Sequence, residues 1–185
     1  MAKQFLSIQD SHRAFILRQY VFFTASAAAD GRVNVSPKGL GGFRCLGPNE
    51  VAYLDLTGSG NETAAHVKAS LSKRLTIMFC AFEDPPVILR LYGEAKIYQP
   101  LSAEYKNLIS EFDDCPGARQ IVYLKVDLVQ TSCGYGVPLY DYQGERPTLV
   151  KWAEAKGVAG LKAYRKEKNS FSIDGLPTGL EQSDD

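Results

Sequence analysis

Hydrophobic and polar positions along the chain alternate for most of its length, and the alternation is interrupted by stretches with helical spacing. Residues 11–20 carry apolar positions at helical spacing, with Ile8, Phe15 and Ile16 among them, and predict a short amphipathic helix. Residues 20–28 are rich in aromatic and β-branched side chains and predict a strand. Asp30-Gly31 then precedes a second alternating run, 33–38, which is a strong hairpin signal. A tight Asp30-Gly31 turn sets Asn34 opposite Ala27 and Ser36 opposite Ala25. Loops follow at 39–42 and 47–49, a strand at 51–56 and a helix at 62–71. Two more strands, 75–82 and 87–98, are joined by Glu83-Asp84-Pro85-Pro86. Residues 102–112 predict a helix opened by a Ser102 cap. Val122, Leu124, Val126 and Leu128 alternate within a strand at 121–130. Residues 148–168 read as helical with breaks at Gly157 and Gly160, and a frayed tail is expected at 181–185.

This makes about six strands joined mostly by hairpins, without long βαβ alternation. The pattern predicts a mainly β chain with flanking helices, wound as a closed or half-closed antiparallel barrel. At 185 residues the chain suits one domain. Residues 1–145 are expected to form the barrel domain with its N-terminal helix, and residues 146–185 a helical extension packed on it.

Composition narrows the function. Lys plus Arg and Asp plus Glu both total 21, so the formal net charge is zero, which argues against a nucleic-acid partner. No apolar run approaches the ~18 residues of a membrane span, and residues 1–12 lack a signal core, so a cytoplasmic protein is expected. The four cysteines form no CxxC pair and share no ligand spacing with the two histidines. Reduced thiols and no metal site are therefore expected.

Two constellations carry candidate chemistry. On the strand at 33–38, Arg32, Asn34, Ser36 and Lys38 share one face, and Val33 and Val35 the other. The polar stripe is either a solvated face or one wall of a ligand site. The second constellation is Asp55-Leu56-Thr57-Gly58-Ser59-Gly60-Asn61-Glu62-Thr63, where a strand enters a small polar loop and then a helix. Such a loop can present N–H groups to a phosphate. It is not a Walker loop, since GxxxxGK[ST] is absent. Ser59 and Glu62 also have capping-box spacing, which would satisfy the helix end internally. Gly39-Leu40-Gly41-Gly42 lacks the spacing and context of a dinucleotide loop. Arg90 lies in an apolar strand and needs a carboxylate or a polar ligand as partner. Arg74 opens a strand. Ser132-Cys133-Gly134-Tyr135 ends the last strand, and nothing nearby in sequence would activate Cys133 as a nucleophile.

Together the runs FFTASAAADGRVNVSPKG, VAYLDLTGSGNETAAHV and RLTIMFCAFEDPPVILRLYGEAKIY resemble the pyridoxamine 5′-phosphate oxidase-like family of FMN-binding split barrels. The resemblance covers roughly residues 15–135 and is to a short bacterial branch rather than to the true oxidases; QTSCGYGVPLYDY also fits that branch. It implies a six-stranded antiparallel split barrel that forms a homodimer, with FMN held between the subunits. Lys38 would contact phosphate, and Asn34, Val35 and Ser36 would run beside the flavin ring. Asp55 and Thr57 would face the ribityl chain and phosphate, with Ser59, Gly60, Asn61 and Thr63 in the phosphate-binding stretch. Arg74 would add charge and Arg90 a contact to the ring edge. Cys133 and Tyr135 would belong to the wall supplied by the partner, or else to a simple turn.

The chain departs from the oxidases in two places. Thr63-Ala64 stands where they carry an Arg-Lys pair, and their C-terminal Arg and His motif is not recognisable. The expected function is an FMN-dependent oxidoreductase acting on a small molecule. The alternative is a non-catalytic flavin or haem protein, for which His12 and His66 are the available histidines.

Overall fold

Eight strands and four helices succeed one another in the computed structural model, which describes residues 2–180. The order is β1 (Lys3–Phe5), α1 (Asp10–Leu17), β2 (Phe22–Ser26), β3 (Asn34–Lys38), β4 (Phe43–Gly47), β5 (Glu50–Leu56) and α2 (Glu62–Ala69). There follow β6 (Arg74–Cys80), β7 (Val87–Tyr98), α3 (Ala103–Leu108), β8 (Ala118–Cys133) and α4 (Thr148–Lys168). All pairings are antiparallel, in the order β3-β2-β6-β7-β8-β5-β4, with β1 on the far end of β8. The expected tail at 181–185 lies outside the described residues.

The sheet rolls up. Phe22 on β2 lies 5.1 Å from Phe43 on β4 and 5.4 Å from Tyr53 on β5, ring to ring, although these strands stand near opposite ends of the strand order. One apolar core fills the interior, with Tyr53, Ile77, Leu89, Leu91, Val122 and Leu124 fully buried. No pairing joins β3 to β4 or β5, so the barrel stays split along that seam. A second, smaller cluster packs Tyr105, Leu108 and Ile109 of the α3 region onto Leu54 and Ile121 outside the barrel. Gly93 sits at a register shift between β7 and β8, and a Cβ there would run into the Lys125 carbonyl, so the crossing requires glycine.

The antiparallel split barrel agrees with the sequence pattern, but two strands were not legible in it. β1 is three residues long, and β4 (FRCLG) carries Arg44 and lies between glycine-containing loops. The hairpin register also differs from expectation. Asn34 faces Ser26 and Ser36 faces Thr24, one place from the predicted alanine partners. The connection is longer than the tight turn, and its far side is fixed by Asp174, which accepts from both the backbone N–H and the guanidinium of Arg32. The shared-face reading holds for Asn34, Ser36 and Lys38, which are half-buried while Val35 points outward; Arg32 precedes β3 and is exposed, so it does not join that face. Ser102 caps α3 by accepting from the Tyr105 N–H at 3.1 Å, and α4 is interrupted at Gly157, whose φ is 63°.

Candidate functional site

Lys38, at the end of β3, crosses the seam to reach β5, where its Nζ donates to Asp55 Oδ1 at 2.7 Å. The other carboxylate oxygen, Oδ2, accepts from Arg119 Nη2 at 2.6 Å, Arg119 Nε at 3.2 Å and Gln120 Nε2 at 2.9 Å. Asp55 is 3% exposed and so is Arg119, which makes this a desolvated ion pair. Burial alone would raise the Asp55 pKa, but the Arg119 and Lys38 charges outweigh it and hold the carboxyl well below its ordinary range. The strand pairing explains the meeting: β5 runs beside β8 with Asp55 opposite Gln120.

The loop after β5 rests on this pair. Arg119 Nη1 donates to the Gly60 carbonyl and to Asn169 Oδ1, both at 2.9 Å. Asn169 Nδ2 donates to the Gly58 carbonyl at 3.0 Å. Arg165 Nε donates to Thr57 Oγ1 at 2.8 Å, and its Nη2 donates to the Gly117 and Ala118 carbonyls. Burial and the like charge of Arg119 push the Arg165 pKa below its ordinary value. Lys38, Arg119 and Arg165 thus converge beside this loop; Asp55 pairs with Lys38 and Arg119, while Arg165 bonds to the neutral oxygens of Thr57, Gly117 and Ala118, which leaves an excess of positive charge.

The capping-box reading of Ser59 and Glu62 does not hold. The helix starts at Glu62 with Asn61 before it, and no side chain caps it. The Glu62 carboxylate accepts instead from the Ile173 N–H, at 3.1 and 3.2 Å. The backbone N–H groups of Ser59 and Asn61 donate to no acceptor among the described residues. Asn61 itself is 3% exposed; its Oδ1 accepts from Gln120 Nε2, while its Nδ2 has no partner. Beside the loop lies a cavity of about 640 Å³, walled by Asn34 and Val35 of β3, Ser59 and Gly60 of the loop, and Phe171 and Ser172 from the chain after α4.

Asn34, Ser36, Asp55, Thr57, Ser59, Gly60, Asn61 and Thr63 therefore gather at the seam between β3, β5 and the start of α2; Lys38 reaches Asp55 there but borders a different cavity, of about 1130 Å³, with Tyr20 and Tyr142. Asn34 Nδ2 donates to Thr63 Oγ1 at 3.4 Å, and the Ser36 hydroxyl to Asn34 Oδ1 at 3.1 Å. Val35 borders the cavity beside the loop but turns its side chain away from the polar stripe. Other predicted site residues lie apart. Arg74 borders a separate cavity of about 450 Å³ with Ala27 and Tyr92. Arg90 finds a hydroxyl partner, donating to Ser132 Oγ at 3.2 Å, and Cys133 and Tyr135 are exposed at the end of β8. Within one chain these last three do not join the seam.

His12 is buried against Phe5 and its Nδ1 accepts from the Gln9 N–H; His66 is buried with its Nδ1 3.0 Å from Ser26 Oγ. Both are engaged in packing. Arg119, Arg165 and Asn169 were not identified from sequence. Arg119-Gln120 stands directly before the apolar run IVYL, so the rule that singled out Arg90 also applies to Arg119. Arg165 and Asn169 act on the loop from more than a hundred residues away and leave no local signal.

A family model described as pyridoxamine 5′-phosphate oxidase matches residues 8–133. The pyridoxamine 5′-phosphate oxidase family protein UstO of Aspergillus flavus is 39% identical over 189 residues, covering 92% of this chain and 75% of that protein. A provisionally assigned pyridoxamine 5′-phosphate oxidase from Lactobacillus delbrueckii superposes with a TM-score of 0.54 at 17% identity, over 68% of this chain and 94% of that one. A HupZ variant from Group A Streptococcus gives 0.53 at 19%, over 68% and 99%. At these identities the two structures speak for the fold.

Proposed function

The chain belongs to the pyridoxamine 5′-phosphate oxidase family, and on that premise we propose that it is a flavoprotein that binds FMN at the seam of its split barrel and serves as an oxidoreductase on a small molecule. The observation that carries the reading is the unspent hydrogen-bonding capacity at the loop, set over an excess of positive charge. Ser59 N–H, Asn61 N–H and the buried Asn61 Nδ2 have no acceptor among the described residues, and Lys38 spends one of its three donors on Asp55. A phosphate dianion offers the acceptors and the charge that this arrangement lacks. Glu62 is an opposing feature, being an anion at the helix start, and its carboxylate is occupied by the Ile173 N–H.

Lys38, Ser59 and Asn61 would hold the phosphate, and Asn34 and Ser36 would border the ring. Bound FMN would supply hydride or electron transfer, and the chain its binding and orientation. The reading includes a cytoplasmic setting and a homodimer. No helix of the described residues is long and apolar enough to cross a membrane. Val33 and Val35, 70% and 62% exposed beside the cavity, form an apolar face that a second copy would cover, bringing Cys133 and Tyr135 of one chain toward the seam of the other. Both histidines are engaged in packing, which weighs against the haem alternative.

The test is the small molecule released from protein purified without added cofactor, read by absorption and mass spectrometry. FMN supports the reading. Haem, or an empty protein that added FMN does not stabilise, would overturn it.

A further inference from the structure

We infer that Asn169 and Arg119 are positioning residues that set the chain's preference for a phosphorylated flavin, by turning the loop 57–61 so that its N–H groups face outward. The inference rests on the FMN reading above and deepens it, since Asn169 lies beyond the residues matched by the family model. The loop contains two glycines, and a Cβ at Gly58 would meet nothing within 4 Å. Neither local sterics nor a side-chain cap holds its backbone in one orientation. What holds it is a clamp from outside. Asn169 Nδ2 takes the Gly58 carbonyl at 3.0 Å and Arg119 Nη1 takes the Gly60 carbonyl at 2.9 Å. The two clamp residues are joined to each other through Asn169 Oδ1 at 2.9 Å.

A trans peptide sets its N–H antiparallel to its C=O. Drawing the carbonyls of residues 58 and 60 inward therefore turns the N–H groups of Ser59 and Asn61 outward, and neither donates to an acceptor among the described residues. The clamp is itself anchored. Asp55 fixes the Arg119 guanidinium through two of its nitrogens, and the Thr178 hydroxyl donates to the Asn169 carbonyl at 2.7 Å. Asn169 is fully buried at the end of α4, so the chain after α4 reaches the loop through a contact shielded from water. Neither residue touches the phosphate. They act through the peptide units that would.

The experiment compares FMN and riboflavin affinities of the apoprotein by fluorescence titration for the wild type, Asn169→Ala and Thr178→Val. General weakening of the fold lowers both affinities together, whereas misorientation of the loop lowers only the part that depends on phosphate. The FMN-to-riboflavin affinity ratio should fall about tenfold in Asn169→Ala and roughly threefold in Thr178→Val, as expected for losing or loosening a hydrogen bond that aims a charged contact. If Asn169→Ala does not fold, the isosteric Thr178→Val decides on its own. A wild-type ratio that favours FMN and stays unchanged in the variants that fold overturns this inference alone. A wild type that binds both flavins equally overturns the phosphate reading and this inference with it.

Discussion

Arg119 places Nε and Nη2 on a single oxygen of Asp55, Oδ2, which leaves Oδ1 to receive Lys38 from across the barrel seam. Asp55 therefore ties together the two sides of a sheet that no backbone pairing closes. Removing one partner of a buried ion pair costs about 3–5 kcal/mol, because the remaining charge stays desolvated. Arg119→Met should lose about 3 kcal/mol of unfolding free energy, at the low end because Lys38 and Gln120 still bond the carboxylate. Urea denaturation measures it; a loss within experimental error would mean that the pair contributes nothing net.

The same carboxylate predicts an acid limb. Its pKa is depressed in the folded state, so its stabilisation is complete above the ordinary carboxylate value and is lost as pH falls below it. The unfolding midpoint should hold from neutral pH to about 4 and then drop, with Asp55→Asn less stable at neutral pH and flatter on that limb. Parallel acid limbs for wild type and Asp55→Asn would assign the pH dependence to other carboxylates.

Lys38 has an observed contact, to Asp55, and a proposed one, to phosphate, which can be separated. Lys38→Met should weaken FMN about 10- to 100-fold, the value of a charge-assisted bond to phosphate, and riboflavin far less. It should also lower the melting temperature of the apoprotein, since it removes one of the charges on Asp55. Unchanged FMN affinity together with a lowered melting temperature would make Lys38 a seam residue only.

How much of this could be read from the sequence depends on the range of the interactions. Alternation gave the long strands and the polar stripe of Asn34, Ser36 and Lys38, because a strand's side-chain period is local. β4 leaves little local signal because its five residues carry Arg44 and end at Gly47; it is fixed by pairing with β5 and by Phe43 packing on Phe22 and Phe79. The hairpin register slipped by one place because the segment containing Asp30-Gly31 is shaped by Asp174, from the other end of the chain. The loop at 57–61 was visible as a candidate from its composition. Its orientation was not, because Arg119, Arg165 and Asn169 set it from elsewhere in the sequence.

The proposed homodimer makes a prediction of its own. Val35→Asp puts a charge on the outward face of an edge strand, where the wild-type valine is 62% exposed. Sedimentation should show wild-type dimers and Val35→Asp monomers with an intact fold by circular dichroism. For a site shared between subunits, mixing Lys38→Met with Tyr135→Ala, each deficient in FMN, should restore about half the flavin in the heterodimer, as one intact groove re-forms. Heterodimers that bind no flavin would place all of each site within one chain.

The most direct measurement of the central claim, an FMN phosphate site at the seam, is the melting temperature of the apoprotein titrated with FMN and with riboflavin. A ligand that binds the folded state raises the midpoint with the logarithm of its concentration over its Kd, so the two curves at matched concentrations isolate the phosphate. FMN should raise the midpoint markedly and riboflavin only slightly. Equal shifts, or no shift with either flavin, would contradict the account.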